Sequence, residues 1–278
     1  MPQDTAVLLD TDIGSDIDDA VCLAYLLAER RCRLLGVSTV TGQATRRAML
    51  ADALCRAAAR RDVPVWSGAD GPILIQQRQC EAPQAEVLGQ WEHAEDFQPS
   101  QAVWMLRQTI REYPGQITLL TVGPLTNIAL LFALDPEAPR MLKEMVVMGG
   151  SFFGDDHREW NIIGDPHAAG VVFGAPVPRI RVHGLDVTRE CRMEADECRR
   201  RFHGGPLRMV AQMAEVWFRE REVITFHDPL AACCIFDPEI CSYRRGRVGV
   251  EIHDPDALGA TSFSADPQGP HLVADGVD

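Results

Sequence analysis

Five aspartates fall within ten positions near the N-terminus, where residues 10–19 read DTDIGSDIDD. Carboxylates this close repel one another, so some must take up protons unless a cation neutralises them. A hard divalent ion does so, and oxygen-only donors suit Ca²⁺ or Mg²⁺ rather than Zn²⁺. Gly14 and Ser15 let the backbone turn between the two acidic groups. The simpler reading is that Asp16, Asp18 and Asp19 cap a helix and complement its positive end. That leaves Asp10 and Asp12 unexplained, because they emerge from the apolar run ending at Leu9. A calcium loop of the EF-hand type wants Gly sixth and Glu twelfth, whereas Gly14 is fifth and Val21 twelfth. A phosphoaspartate-type hydrolase is disfavoured by the acidic charge and by the lack of a Gly-Lys-Ser/Thr phosphate loop.

The elements that must position this cluster alternate along the chain. Apolar runs at 6–9, 34–40, 63–66, 117–122, 145–148 and 180–182 predict strands. Helical patterns are expected at 20–28, 44–60, 125–134, 166–173 and 207–219, the last of them amphipathic. Alternation of this kind predicts an α/β fold, an open and mainly parallel sheet flanked by helices. The acidic cluster then sits at the C-terminal edge of the first strand, where such sheets form ligand crevices. Residues 76–100 are polar, lack periodicity and are too long for a routine connection, which makes them a candidate active-site loop. Short strands and turns are expected after Tyr243. No repeat, low-complexity tract or linker divides the chain, so one domain over 1–278 is expected.

The balance of 27 Lys+Arg against 40 Asp+Glu leaves a formal charge of −13. That argues against a phosphate-binding surface for nucleic acid and disfavours anionic membranes. No apolar run approaches 18 residues, and MPQDTAVLLD has no signal-peptide pattern, so a cytoplasmic location is expected. Nine cysteines, an odd number, lie at irregular spacing without a C-x-x-C pair and predict reduced thiols rather than a disulfide framework.

The segment DTDIGSDIDDAVCLAYLL resembles the N-terminal signature of the inosine–uridine nucleoside hydrolase family, with two extra residues before Asp18-Asp19. Further matches follow in order: VGPLTNIA at 122–129, VMGGS at 147–151, and Glu159-Trp160-Asn161 with Asp165-Pro166. GLDVT at 184–188 and FHDPLA at 226–231 complete a set spanning residues 8–238. The resemblance implies a Rossmann-like nucleoside hydrolase architecture and Ca²⁺-dependent cleavage of the bond between ribose and nucleobase. By the same resemblance, Asp12, Asp19, Asp228 and the backbone carbonyl of Val122 are the metal ligands, Asp19 through both oxygens. Asp12 is also the general base on a metal-bound water, and Asp10 supports the site. Asp18, Gln43, Glu159, Asn161 and Asp228 are the substrate-binding set, with Asp18 near the ribose hydroxyls. His227 matches a histidine that assists the leaving base in one branch of the family. Small-molecule ribonucleosides are the implied partners, and a homodimer or homotetramer the implied assembly.

The chemistry stands without the name. Glycosidic cleavage develops positive charge on the sugar, which an anionic pocket stabilises. A cation gripping two ribose hydroxyls lowers the pKa of the attacking water, and a carboxylate removes its proton. A histidine titrating near neutrality can protonate the departing base. Hydroxyl chelation also predicts ribosides over 2′-deoxyribosides.

Departures from the family pattern concern the base pocket. Gly42-Gln43 stands where the family has Gly-Asn, and its H-G-x-D-G segment is not recognisable between residues 71 and 100. The family's asparagine ahead of Glu159 has no counterpart in 152–158. These changes leave open a modified nucleoside or nucleotide substrate. They also leave open a non-catalytic metal-dependent ribonucleoside-binding protein. Asn127 reads as a structural turn residue and Trp160 as core or pocket wall. Trp91 and His93 are loop residues able to stack on a base, and His157 and His167 are expected at the surface. Family chains usually continue past a segment like 276–278 into a final helix, which this sequence lacks.

Overall fold

The computed structural model describes residues 4–154 and 157–278; the N-terminal MPQ and the pair 155–156 of the 152–158 stretch lie outside the described residues. Along the chain run β1 (Thr5–Thr11), β2 (Cys32–Thr39), β3 (Val65–Ser67), β4 (Ile117–Thr121), β5 (Glu144–Met148) and β6 (Ile180–His183). They are followed by β7 (Arg192–Glu194), β8 (Val223–Thr225), β9 (Cys241–Val250), β10 (Thr261–Ala265) and β11 (His271–Val277). Nine of them form one sheet in the order β10-β9-β11-β6-β5-β4-β1-β2-β3, while β7 and β8 pair separately. From β3 across to β11 every neighbouring pair is parallel, and β9 and β10 add an antiparallel edge.

The strand order reverses between β1 and β4. The chain leaves β1 toward β2 and β3, then returns to the other side of β1 for β4, β5 and β6. Diverging connections at such a point open a crevice above the strand ends. That is where Asp10 and Asp12 emerge.

Both faces of the sheet are covered, which is why its strands read as continuous apolar runs. On one side Val7 and Leu9 pack with residues of the helices Asp18–Ala28, Ala44–Ala57, Leu207–Trp217 and His227–Phe236. On the other, Ala6 and Leu8 pack with the helices Ala102–Glu112, Thr126–Leu134 and Pro166–Phe173. The alternation of β1 side chains sends Thr11 toward the first group and Asp10 toward the second.

Several expectations shift. The helix expected over 44–60 ends at Ala57, because Ala59 takes a left-handed φ of 58° and turns the chain. Helix Ala102–Glu112 is absent from the sequence reading, although Leu106 and Ile110 are buried along one side. Within 76–100 a 3-10 helix, Pro83–Gln90, buries Ala85, Val87 and Leu88 against the first core. The C-terminal strands are longer than expected, with ten residues in β9. All nine cysteines are free thiols. Among the described residues no helix is long and apolar enough to cross a membrane.

Candidate active site

Asp10 is completely buried at the end of β1. Its Oδ1 accepts from Asn127 Nδ2 at 2.8 Å and from the Ser38 hydroxyl, while Oδ2 has no partner. Burial pushes its carboxyl up to about 7, against the pull of both hydrogen bonds. Asn127 also donates to the Thr39 carbonyl at 2.9 Å and accepts from the Ala69 N–H at 2.9 Å. It knots three strand ends together, as its reading as a structural residue anticipated. Gly68 permits this approach: a Cβ there would lie 2.4 Å from the Asn127 carboxamide.

The loop after β1 is shaped by Arg47, a fully buried side chain from helix Ala44–Ala57. Its guanidinium donates to the carbonyls of Asp12, Ile13 (3.1 Å), Gly42 (2.8 Å) and Glu81 (2.9 Å), and to Ser15 Oγ at 2.8 Å. Five acceptors from three segments are thereby satisfied by one planar donor set, a match that Lys could not make. Gly14 turns the loop with a φ of 117°. Burial raises the Asp12 carboxyl to about 6, while the nearby Arg47 charge opposes the rise.

Asp18 and Asp19 open helix Asp18–Ala28, and Asp228 lies in the first turn of helix His227–Phe236. One carboxylate oxygen from each of the three lies within 4.8 Å of the others. The Thr11 hydroxyl donates to Asp19, and the Asp228 N–H donates to Asp18 Oδ2 at 3.0 Å. Burial first, then mutual repulsion, holds all three carboxyls well above the usual range. Arg47, the cation felt by Asp12 and Asp19, is turned to backbone carbonyls instead. Converging buried oxygens of this kind fit a hard cation. The trio contains Asp18 and not Asp12, so the ligand set carried over from the resemblance is only partly grouped. Asp12 faces the same cavity and raises the pKa of Asp18, Asp19 and Asp228 by its charge. At the end of β4 the Val122 carbonyl accepts from Asn161 Nδ2 at 2.9 Å. A carbonyl keeps a second lone pair after one such bond.

A cavity of about 430 Å³ collects these groups. Asp12, Asp18, Asp19, Val122, Glu159, Asn161, His227 and Asp228 all line it. Glu159 caps helix Trp160–Gly164, accepting from the N–H groups of Asn161 (2.8 Å), Gly150 (3.1 Å) and Ile162 (3.1 Å). Burial nevertheless carries its pKa to about 7. His227 Nδ1 lies 2.7 Å from Thr188 Oγ1. Burial, with the charges of Arg189 and Arg192, pushes this histidine down to about 4, so the expected titration near neutrality does not occur here.

Gln43 does not line the cavity. It starts its helix with a left-handed φ of 61° and accepts the Ala82 N–H at 3.1 Å. Trp91 and His93 are likewise elsewhere: the indole donates to Gln212 Oε1 at 2.6 Å, and His93 Nδ1 lies 2.7 Å from the Trp91 carbonyl. Trp160 is a pocket wall, His157 is exposed, and His167 is half-buried rather than at the surface. Gln79, Trp217 and Arg221 also reach the cavity and were not foreseen as site residues. Gln79 lay in the irregular loop and Trp217 on the amphipathic helix, which were the available signals; Arg221 carried none.

Residues 7–278 match the family described as inosine-uridine preferring nucleoside hydrolase. The chain belongs to that family. This nucleoside hydrolase is 30% identical to uridine nucleosidase 1 of Arabidopsis thaliana over 88% of its own length and 78% of the relative's. It is also 30% identical to the pyrimidine-specific ribonucleoside hydrolase of Citrobacter koseri, covering 92% of this chain and 86% of that one. A solved plant nucleoside hydrolase shares the fold, with a TM-score of 0.85, 24% identity and coverage of 99% of this chain and 95% of that chain. The nucleoside hydrolase thus carries its acidic cluster on the expected fold, at the strand-order reversal.

Proposed function

We propose that this nucleoside hydrolase cleaves the N-glycosidic bond of ribonucleosides, releasing nucleobase and ribose, with one Ca²⁺ in the acidic cluster. The observation that carries the reading is the convergence of Asp18, Asp19 and Asp228 with Asp12 in one cavity above β1 and β4. Asp12, Asp19, Asp228 and the Val122 carbonyl would hold the ion. When bound, Ca²⁺ would neutralise the cluster, grip two ribose hydroxyls and make the attacking water more acidic.

Asp12 accepts the proton of the attacking water: it lines the cavity outside the trio, its charge acts directly on all three members, and Glu159 is instead taken up by backbone N–H groups. Asp18 and Asn161 hydrogen-bond the ribose hydroxyls. Glu159, fixed by three backbone N–H groups, presents negative charge to a sugar becoming positive. His227 acts as a neutral donor: with the Thr188 hydroxyl donating to Nδ1, its proton sits on Nε2 and is offered to the departing base. Gln43 acts indirectly, by holding the Ala82 backbone of the loop whose Gln79 and Pro83 line the cavity. The names of the relatives make uridine the first nucleoside to test.

Base release from uridine, inosine and 2′-deoxyuridine, with and without chelator and in Asp12→Ala, decides the matter. Ribonucleosides should be cleaved and the deoxyriboside spared. Chelation should stop turnover, and Asp12→Ala should lower kcat about 10²–10⁴-fold. Full activity after chelation, or in Asp12→Ala, would sink the mechanism.

A further inference from the structure

Away from the acidic cluster, three side chains of a different chemistry converge inside the protein. His183 ends β6, Cys234 lies in helix His227–Phe236, and Cys241 begins β9. We propose that His183, Cys234 and Cys241 form a second metal site, one that takes a thiophilic cation of the zinc type. A ring nitrogen of His183 and the two sulfurs all lie within 4.8 Å of one another. The three residues are 0%, 0% and 5% exposed.

The sulfur separation is informative. Cys234 Sγ and Cys241 Sγ are 3.6 Å apart. A disulfide requires about 2.05 Å, whereas two thiolates at about 2.3 Å from a tetrahedral zinc ion stand about 3.8 Å apart. A thiol–thiol hydrogen bond has a similar length, but it gives no reason for a buried imidazole beside the pair. His183 Nε2 lies 2.8 Å from Tyr243 Oη, and its Nδ1 has no hydrogen-bond partner. An imidazole held through one nitrogen, with the other unsatisfied, has the arrangement of a metal-ligating histidine with its orienting partner. The fourth corner of the tetrahedron is left for solvent or for the Cys191 thiol, which packs against the same cluster. Two sulfurs and one nitrogen select zinc over the hard ion suited to the aspartates.

The site would fasten β6 and β9 to the helix that carries His227 and Asp228. Protein purified under reducing conditions without added metal should contain close to one zinc per chain by elemental analysis. Exchange with Co²⁺ should give the strong thiolate charge-transfer absorption of a tetrahedral site. Cys241→Ser and His183→Gln should each abolish that absorption, whereas Asp19→Asn, in the acidic cluster, should retain it. If a variant does not fold, the wild-type spectrum and metal content still decide. Reduced wild-type protein with no zinc, no charge-transfer band and nine titrating thiols would overturn the proposal. Loss of the band in Asp19→Asn would do the same.

Discussion

The backbone N–H of Asp228 donates to Asp18 Oδ2 at 3.0 Å, joining the first turns of two helices across a sequence separation of 210 residues. Each helix points its positive end at the shared carboxylates, which offsets part of their repulsion. Helix ends alone supply only about half a charge each. Three buried carboxylates therefore remain under-neutralised without a cation.

That imbalance gives a stability prediction. In the metal-free protein, Asp10, Asp12 and Glu159 stand at about 7, 6 and 7, above their ordinary values. For an acid raised by folding, the stabilising contribution is full below the unfolded pKa and is lost as pH rises through the folded one. Metal-free protein should accordingly lose stability between pH about 4 and 7 from these groups. Ca²⁺ should then raise Tm more at pH 8 than at pH 5, and less in Asp228→Asn. Calorimetry showing equal shifts at both pH values would contradict the cation site.

Arg47 should matter as much for folding as for function. Replacing it with Met removes the donor from the Asp12, Ile13 and Gly42 carbonyls, while Ser15 Oγ and the Glu81 carbonyl keep Gln79 Nε2. At about 1–3 kcal/mol per unsatisfied buried group, partly relieved by water, a loss of about 3 kcal/mol is expected. Denaturant unfolding measures it. A loss below about 1 kcal/mol, at the level of a single ordinary hydrogen bond, would show that the loop holds its shape unaided.

The clamp also shows where sequence reading stopped. The strands around the site were legible because burial on both faces makes them continuous apolar runs, and the aspartates because five in ten positions have little other use. Arg47 was not legible. An arginine in a helical pattern ordinarily faces solvent, and the carbonyls that bury it come from segments brought together only by the fold. Gln43 failed for the opposite reason: its type suited the pocket, but a left-handed backbone aims its carboxamide at Ala82. The low pKa of His227 is not legible in sequence because burial and two nearby arginines are tertiary facts.

Thr188 offers a test of how His227 works. Thr188→Val removes the hydroxyl 2.7 Å from Nδ1 and nearly preserves shape. If that hydroxyl fixes the Nε2–H tautomer, kcat should fall about tenfold, which corresponds to about 1.4 kcal/mol. KM and Tm should change little, and Thr188→Ser should restore the rate. A valine variant with wild-type kcat would remove the tautomer role from the proposal.

His271 provides a pH-dependence of opposite sign, far from the cluster in sequence. Its Nδ1 accepts from the Val248 N–H at 2.8 Å, and Nε2 lies 3.1 Å from the Phe173 carbonyl. One nitrogen accepts, so the ring must be neutral with its proton on Nε2. Burial and the charge of Arg247 hold its pKa below the ordinary 6.5, although the Phe173 carbonyl favours the charged form. A histidine depressed by folding contributes stability above its unfolded pKa, and that contribution is lost as pH falls toward the folded value. With Ca²⁺ saturating, wild-type Tm should drop on going from pH 7.5 to 5.5. His271→Gln keeps an acceptor and a donor without a titrating group, so its Tm should drop less over the same interval. Parallel Tm profiles for the two proteins would mean that His271 does not titrate between the folded and unfolded states in this range.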